Sequence, residues 1–320
     1  MKMFRTSKFQ HFKILLPLLV LLSFPAIPAP GPGTVWPEGI YMTTIPLKRA
    51  GRLFMLEAVI DGVTGNFIFD TGASKLVLNS TYFRNYWTVQ GTEAGGLTGS
   101  AGTVRRTSVK KLQLPGLTYM NITADVADLG HIENRRGIKV LGLFGSCMLR
   151  DMEAVIDVAR NQLRLYRLDR SGKRIGSVSG RFDADLRTKV HTVQDVIFIS
   201  ATIGEKELNF CLDTGAESNI LNSNSPKKVM STVSILRRSD LRGVAGQGSD
   251  VLYAALGDFN LGDRKISGMQ ALLAGMEEMS AYYDYPVDGM LGYDFFEQGE
   301  ISLNMITQEM GIIFRKGGNP

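Results

Sequence analysis

Apolar residues occur in short runs, separated by glycine-containing turns, along most of the chain. The segment Arg52–Ala73, RLFMLEAVIDGVTGNFIFDTGA, has two such runs on either side of Asp61-Gly62, a dipeptide typical of tight β-hairpins. The segment Asp195–Ala216, DVIFISATIGEKELNFCLDTGA, has the same layout around Gly204-Glu205. Each segment therefore predicts a strand, a short turn and a second strand that leads into Asp-Thr-Gly-Ala.

These two segments belong to a longer internal repeat. They align without gaps at an offset of 143 residues, which is the separation of Thr71 and Thr214 in the two Asp-Thr-Gly triplets. Farther along, the glycine-rich stretch Gly96–Gly102 aligns with Gly243–Ser249, and the later apolar positions also agree. Both halves thus share one order of hairpin, Asp-Thr-Gly-Ala, glycine-rich turn, further strands and final hairpin.

The repeat divides the chain into two units. We expect the first unit to span residues 34–168 and the second to span 181–316. The stretch between them, residues 169–180 (DRSGKRIGSVSG), is polar and glycine-containing, which is typical of a linker. Short strands with frequent turns predict an all-β architecture for both units.

Residues 1–30 have the features of an export signal. Four basic residues precede the apolar stretch Ile14–Phe24, which is long enough for the hydrophobic region of a signal peptide and short for a membrane span. Prolines crowd the expected cleavage site. The segment therefore predicts either a cleaved signal peptide or an uncleaved membrane anchor, and with it an extracytoplasmic location that is periplasmic or secreted.

The charge and the side-chain inventory narrow the classes of function. The net charge of +5 comes mostly from the first thirty residues, so the rest of the chain has no strong basic footprint for nucleic acid. The three histidines have no partners at ligand spacing, and we predict neither a metal nor a cofactor. Cys147 and Cys211 lie in apolar contexts and are expected to be small core residues.

Paired acidic residues after apolar strands indicate a specific chemistry. Two carboxyl groups about 3 Å apart cannot both ionise, so they share one proton and provide an acid and a base together. Such a pair can activate a water molecule against a carbonyl group without a metal or a covalent intermediate. Asp70 and Asp213 are therefore the candidate catalytic residues of a hydrolytic site.

With both Asp-Thr-Gly triplets and their downstream partners in view, the chain resembles the aspartic proteases of the retropepsin–pepsin superfamily. The downstream partners are the apolar-apolar-glycine segments Leu143-Phe144-Gly145 and Met290-Leu291-Gly292. The resemblance covers both halves. It implies an all-β fold of two retropepsin-like β-barrel halves, related by a pseudo-twofold duplication and arranged like the two lobes of pepsin.

The resemblance also implies a peptide or protein substrate, and it implies residue roles. Asp70 and Asp213 would form the catalytic dyad, and a supporting set would hold it, consisting of Thr71, Gly72, Thr214 and Gly215. Flap-like turns are expected around Gly99 and Gly246, although neither has the tyrosine of the pepsin flap. An alanine follows each Asp-Thr-Gly, as in retroviral-type proteases, where pepsin-like enzymes usually have serine or threonine.

The predicted function is an aspartic endopeptidase that is active as a monomer, because one chain supplies both aspartates. The alternative is a non-catalytic peptide-binding protein that keeps a protease-like cleft. A purely structural role for the two acids does not explain their paired contexts. A phosphate-binding role for the glycine-rich turns lacks the Gly-Lys-Ser/Thr ending that such loops need.

Overall fold

The computed structural model describes residues 33–96, 99–242 and 248–315. The predicted signal or anchor segment and Gly246 lie outside these residues. Strands dominate the described chain and its helices are short, so the prediction of a β architecture is confirmed. Within the described residues, no helix is both long enough and apolar enough to span a membrane.

Strands make up most of the first half. They are β1 (Gly33–Val35), β2 (Met42–Pro46), β3 (Lys48–Ala50), β4 (Leu53–Ile60), β5 (Val63–Asp70), β6 (Leu76–Asn79), β7 (Val89–Gly96), β8 (Gly99–Leu114), β9 (Leu117–Ala127), β10 (Gly142–Gly145), β11 (Met152–Asp157) and β12 (Gln162–Arg167). The helical elements are α1 (Ser80–Phe83), α2 (Gly130–Arg136) and a 3-10 turn at Ser146–Leu149.

The second half has a similar order of elements. Its strands are β13 (Leu186–Val193), β14 (Val196–Ile203), β15 (Lys206–Leu212), β16 (Asn219–Asn222), β17 (Val233–Arg242), β18 (Gly248–Leu256), β19 (Asn260–Leu261), β20 (Arg264–Lys265), β21 (Gln270–Ala274), β22 (Gly289–Leu291), β23 (Gly299–Asn304) and β24 (Glu309–Phe314). The helices are α3 (Lys227–Met230), α4 (Glu277–Tyr283) and α5 (Tyr293–Phe296). A further 3-10 turn at Gly176–Val178 lies in the stretch between the halves.

Both predicted hairpins are present, and their turns have the expected geometry. Asp61 and Gly62 connect β4 to β5 with φ values of 44° and 91°. Gly204 and Glu205 connect β14 to β15 with φ values of 55° and 61°. Positive φ at both central residues matches the right-handed twist of the flanking strands, which is why such two-residue turns favour Gly, Asn and Asp.

The apolar-apolar-glycine segments form strands beside the aspartate turns. Strand β10 pairs in parallel with β5, which places Gly145 next to Asp70, and it pairs antiparallel with β6. Strand β22 makes the same two pairings with β15 and β16. A Cβ atom on Gly142 would lie 2.0 Å from the Val77 carbonyl oxygen. Gly142 is therefore required by the close approach of β10 and β6. In each half, the strand from the apolar-apolar-glycine segment pairs with the strand before the aspartate turn and with the strand after it.

A continuous sheet connects the two halves. Strand β11 of the first half pairs antiparallel with β23 of the second, from Glu153 opposite Asn304 to Asp157 opposite Glu300. Around this pair the strand order is β2, β12, β11, β23, β24 and β13. The predicted linker lies over one face of this sheet: a bridge between Leu168 and Arg174 closes its first turn, and Arg174 pairs with Glu153 of β11.

The main hydrophobic core extends through both halves. Phe69 and Phe144 from the first half and Leu212 and Phe295 from the second are fully buried in one cluster. Cys147 and Cys211 are buried and are not joined in a disulfide, as expected for small core residues. This shared core holds the halves in a fixed relation, which the site described next requires.

Candidate active site

Asp70 and Asp213 lie together where the two halves meet. Asp70 is the last residue of β5, and Asp213 directly follows β15. Their exposed fractions are only 6% and 1%, and the two carboxyl groups hydrogen-bond to each other. The sequence offset of 143 residues therefore corresponds to a pair in direct contact.

Backbone amides hold each carboxyl group in place. The N–H groups of Gly72 and Ala73 each donate to Oδ1 of Asp70 at 3.0 Å. The N–H group of Gly215 donates to Oδ1 of Asp213 at 2.7 Å. Both aspartates thus accept hydrogen bonds from the turns that carry them, so their carboxyl groups are positioned before any ligand arrives.

The two threonines interlock the turns. The hydroxyl of Thr71 accepts a hydrogen bond from the N–H group of Thr214 at 3.0 Å and donates to the Leu212 carbonyl at 2.7 Å. The hydroxyl of Thr214 makes the reciprocal bonds, accepting from the N–H group of Thr71 at 3.0 Å and donating to the Phe69 carbonyl at 2.8 Å. Both side chains are fully buried. A hydroxyl that accepts and donates at once is what these positions need, and valine could do neither.

The two glycines allow the turns to approach each other. A Cβ atom on Gly72 would lie 2.5 Å from Cγ of Asp213, and one on Gly215 would lie 2.7 Å from Cγ of Asp70. Each glycine therefore makes room for the aspartate of the opposite half. Every predicted member of the supporting set contacts the dyad or the opposite turn.

The environment favours the protonated form of the pair. Burial raises the pKa of Asp70 well above the ordinary value of 3.8, and the nearby charge of Asp213 raises it further. Burial also raises the pKa of Asp213, while hydrogen bonds from Asp70 and from backbone amides oppose that rise. Because the two groups are in contact, the observable pKa values belong to the pair. One carboxylic acid and one carboxylate is the state that this geometry stabilises.

Supporting contacts around the turns include residues that the sequence did not single out. The hydroxyl of Ser146 donates to the Ala73 carbonyl at 3.0 Å. In the second half, Oδ1 of Asn219 accepts from the N–H group of Gly292 at 2.8 Å. The two contacts support corresponding turns, but one uses a serine hydroxyl as donor and the other uses an asparagine oxygen as acceptor. A search for identical residues at aligned positions of the two halves therefore does not find them.

Ion pairs between the halves were also missed. Arg52 of the first half pairs with Asp294 of the second at 2.8 Å, and Asp195 of the second half pairs with Arg150 of the first at 2.6 Å. Arg136 of helix α2 reaches across to Glu217, which follows the second Asp-Thr-Gly-Ala. In the repeat alignment, Arg52 and Asp195 occupy the same position with opposite charge. This reversal of charge at equivalent positions was the sequence feature that could have indicated ion pairs between the halves.

The regions predicted as flaps are hairpins. Strands β7 and β8 pair up to Gly96 opposite Gly99, and β17 and β18 pair up to Arg242 opposite Gly248. Gly99 thus lies at the end of the first hairpin, while Gly246 is outside the described residues. The flap role of both glycines stays a prediction.

In the described part of the chain, no three His, Cys, Asp or Glu side chains come close enough together to hold a metal ion.

The chain matches a family model and is similar to solved structures of known proteins. The model of a family described as "Aspartyl protease" matches residues 56–146 and 199–295, which together make up more than half of the chain and each contain one Asp-Thr-Gly. Among solved structures, a retropepsin-like aspartic protease from Rickettsia conorii is similar at 16% identity and a TM-score of 0.30, over 43% of this chain and 97% of that chain. No curated protein matches the chain.

The raised pKa values of the dyad predict how stability depends on pH. The folded dyad binds more protons than the unfolded chain, so its contribution to the free energy of unfolding decreases as the pH rises above the ordinary aspartate pKa of 3.8. The double variant Asp70→Asn/Asp213→Asn removes this term. We expect the variant to gain stability relative to the wild type as the pH rises above 3.8, and the difference between their free energies of unfolding to become independent of pH below that value.

Denaturant unfolding of both proteins across a pH series measures this difference. Because the two proteins share every other titrating group, subtracting one free energy of unfolding from the other leaves the contribution of the dyad. Parallel stability curves for the two proteins would contradict the raised pKa values.

Proposed function

Because the chain belongs to the aspartyl protease family, we propose that it is an aspartic endopeptidase that hydrolyses peptide bonds with Asp70 and Asp213. One observation carries this proposal: the two carboxyl groups are buried and hydrogen-bonded to each other at the junction of the halves. The family supports a protease, and the contact between the two aspartates supports the assignment of the catalytic pair.

In the proposed mechanism, the carboxylate of the pair takes a proton from a water molecule as that water attacks the peptide carbonyl carbon. The protonated partner donates a hydrogen bond to the carbonyl oxygen and stabilises the charge that develops there. The proton taken from water then passes to the leaving nitrogen. The backbone amides of Gly72 and Gly215 keep both carboxyl groups oriented throughout.

Substitution of either aspartate tests the assignment. Asp70→Asn or Asp213→Asn keeps the size of the side chain and removes one member of the acid–base pair. We expect the rate of peptide cleavage to fall by roughly 100- to 10,000-fold, the usual contribution of a positioned acid or base. The measurement is cleavage of a mixed peptide library followed by mass spectrometry.

Asp263→Asn, which changes an exposed aspartate, is the matched control and should keep the wild-type rate. Near-normal cleavage by either dyad variant would refute the assignment. If the wild type binds peptides and an analogue of the tetrahedral intermediate without cleaving anything, the chain is instead a peptide-binding protein with a protease-like cleft.

The same cleavage experiment, run over a range of protein concentrations, tests whether the protein is active as a monomer, since the specific activity of a monomer does not depend on concentration.

We also propose that both hairpins close over a bound peptide. The β7–β8 and β17–β18 hairpins are at corresponding places in the two halves. In the sequence, glycines flank the turn of each hairpin. Closure would exclude water from the dyad. Hydrogen exchange with and without a bound intermediate analogue should show protection of both hairpins. Protection of a single hairpin would indicate a pepsin-like enzyme with one flap.

The N-terminal segment supports export to an extracytoplasmic space, either as a cleaved signal or as a membrane anchor. N-terminal sequencing of the protein from separated soluble, membrane and cytoplasmic fractions distinguishes these fates. A mature start near residue 30 indicates cleavage, an intact start in the membrane fraction indicates an anchor, and recovery of an intact chain in the cytoplasm would contradict export.

A further inference from the structure

A cavity of about 570 Å³ lies away from the dyad, between the linker and the sheet that joins the halves. It is on the face of the sheet opposite the main core: Ala154 and Leu303 point into that core, while their neighbours Glu153 and Ser302 line the cavity. Its volume falls within the range of small-molecule sites. Neither catalytic aspartate contributes to its lining.

Positive charge predominates in the lining. Its two acidic side chains are Glu153 and Glu309, and its five basic side chains give an excess of three positive charges. The basic side chains are Lys173, Arg174, Arg181, Arg187 and Lys189. An excess of this kind in a partly enclosed space attracts anions.

Only part of this positive charge is neutralised within the protein. Arg174 donates two hydrogen bonds to the buried Glu153, at 2.7 and 2.8 Å, and the Ser302 hydroxyl donates to the same carboxylate, so the charges of Glu153 and Arg174 neutralise each other within the protein. Glu309 is shared, because the same oxygen accepts from Arg181 at 2.5 Å and from Arg187 at 3.1 Å. A guanidinium has five N–H donors, so both arginines keep donors for a ligand.

The two lysines complete the basic wall. Neither Lys173 nor Lys189 makes an ion pair within 4.0 Å in the described ranges, although Lys189 donates to the Thr307 carbonyl at 3.4 Å. Asp169, which is not part of the lining, interacts with Lys173. Its carboxylate accepts from the N–H groups of Lys173 and Ser171 at 2.9 and 2.8 Å, and is therefore directed into its own turn.

The frame of the cavity is fixed by hydrogen bonds. The side-chain amide of Asn304 donates to the Gly172 carbonyl at 2.8 Å, and its oxygen accepts from the N–H groups of Ile306 and Thr307. Gly172 has φ +79°, and a Cβ atom there would lie 2.5 Å from the Thr307 methyl group. The linker is thus seated on the β23–β24 turn, and the cavity is formed before any ligand binds.

We propose that this cavity binds a small organic anion with two or three negative charges on phosphate or carboxylate groups. The volume is too large for a single inorganic ion to fill, and the charge excess matches such a ligand. Arginine forks suit both groups because their N–H donors match paired oxygen atoms. Hydroxyls of Ser171, Ser179 and Thr307 supply further polar contacts for the uncharged part of the ligand.

Calorimetric titration with glycerol phosphate and with citrate, at constant ionic strength, tests the proposal and separates the two chemical groups. The variant Lys173→Gln/Lys189→Gln removes two exposed charges from the cavity. We expect it to bind the preferred anion roughly tenfold more weakly, or worse, because charge-assisted hydrogen bonds are lost. The control Lys206→Gln/Lys227→Gln removes the same charge from exposed positions elsewhere and should bind as the wild type does.

Glu309→Gln is a second test in the opposite direction. It releases Arg181 and Arg187 from their shared carboxylate and raises the charge excess, so it should bind the anion more tightly. Failure of the wild type to bind either anion would overturn the proposal. Equal weakening in both lysine variants, or weaker binding by Glu309→Gln in a protein that melts like the wild type, would overturn it as well.

Discussion

The contact between the Asp70 and Asp213 carboxyl groups is the constraint on which the rest of the structure depends. Two acids in contact and away from water cannot both be charged, so the pair is stable only with a shared proton. Their turns must approach closely and stay there, which leaves no room for a Cβ atom at Gly72 or Gly215. It also calls for the reciprocal threonine bonds. The inter-half sheet and common core then keep the turns in register.

Two halves that share a fold need not share their contacts. The dyad, the threonine bonds and the strand pairs around each turn are nearly symmetric. The ion pairs outside this centre are not, since Arg52 and Asp195 occupy equivalent positions with opposite charges and each finds its partner in the other half. This arrangement favours the association of a first half with a second half. Two copies of the same half would bring side chains of equal charge together at these positions.

Sequence alone was sufficient for the parts of the site that are encoded locally and repeated. Asp-Thr-Gly-Ala after an apolar strand, with a glycine-ended strand downstream, predicted both turns and the meeting of the aspartates. The ion pair of Arg52 with Asp294 could not be predicted in this way, because it depends on how the finished halves dock. The cavity under residues 169–180 was also missed, since a polar linker gives no local sign that Asn304 will hold it against a distant turn.

The most direct measurement of the central claim is a carbon-13 NMR titration of the aspartate carboxyl groups. If the two acids share a proton, the resonances of Asp70 and Asp213 should titrate together in two macroscopic steps, with one step well above the ordinary pKa of 3.8. Assignment by the single Asp→Asn variants identifies the pair. Two resonances that titrate independently near the ordinary value would contradict the account.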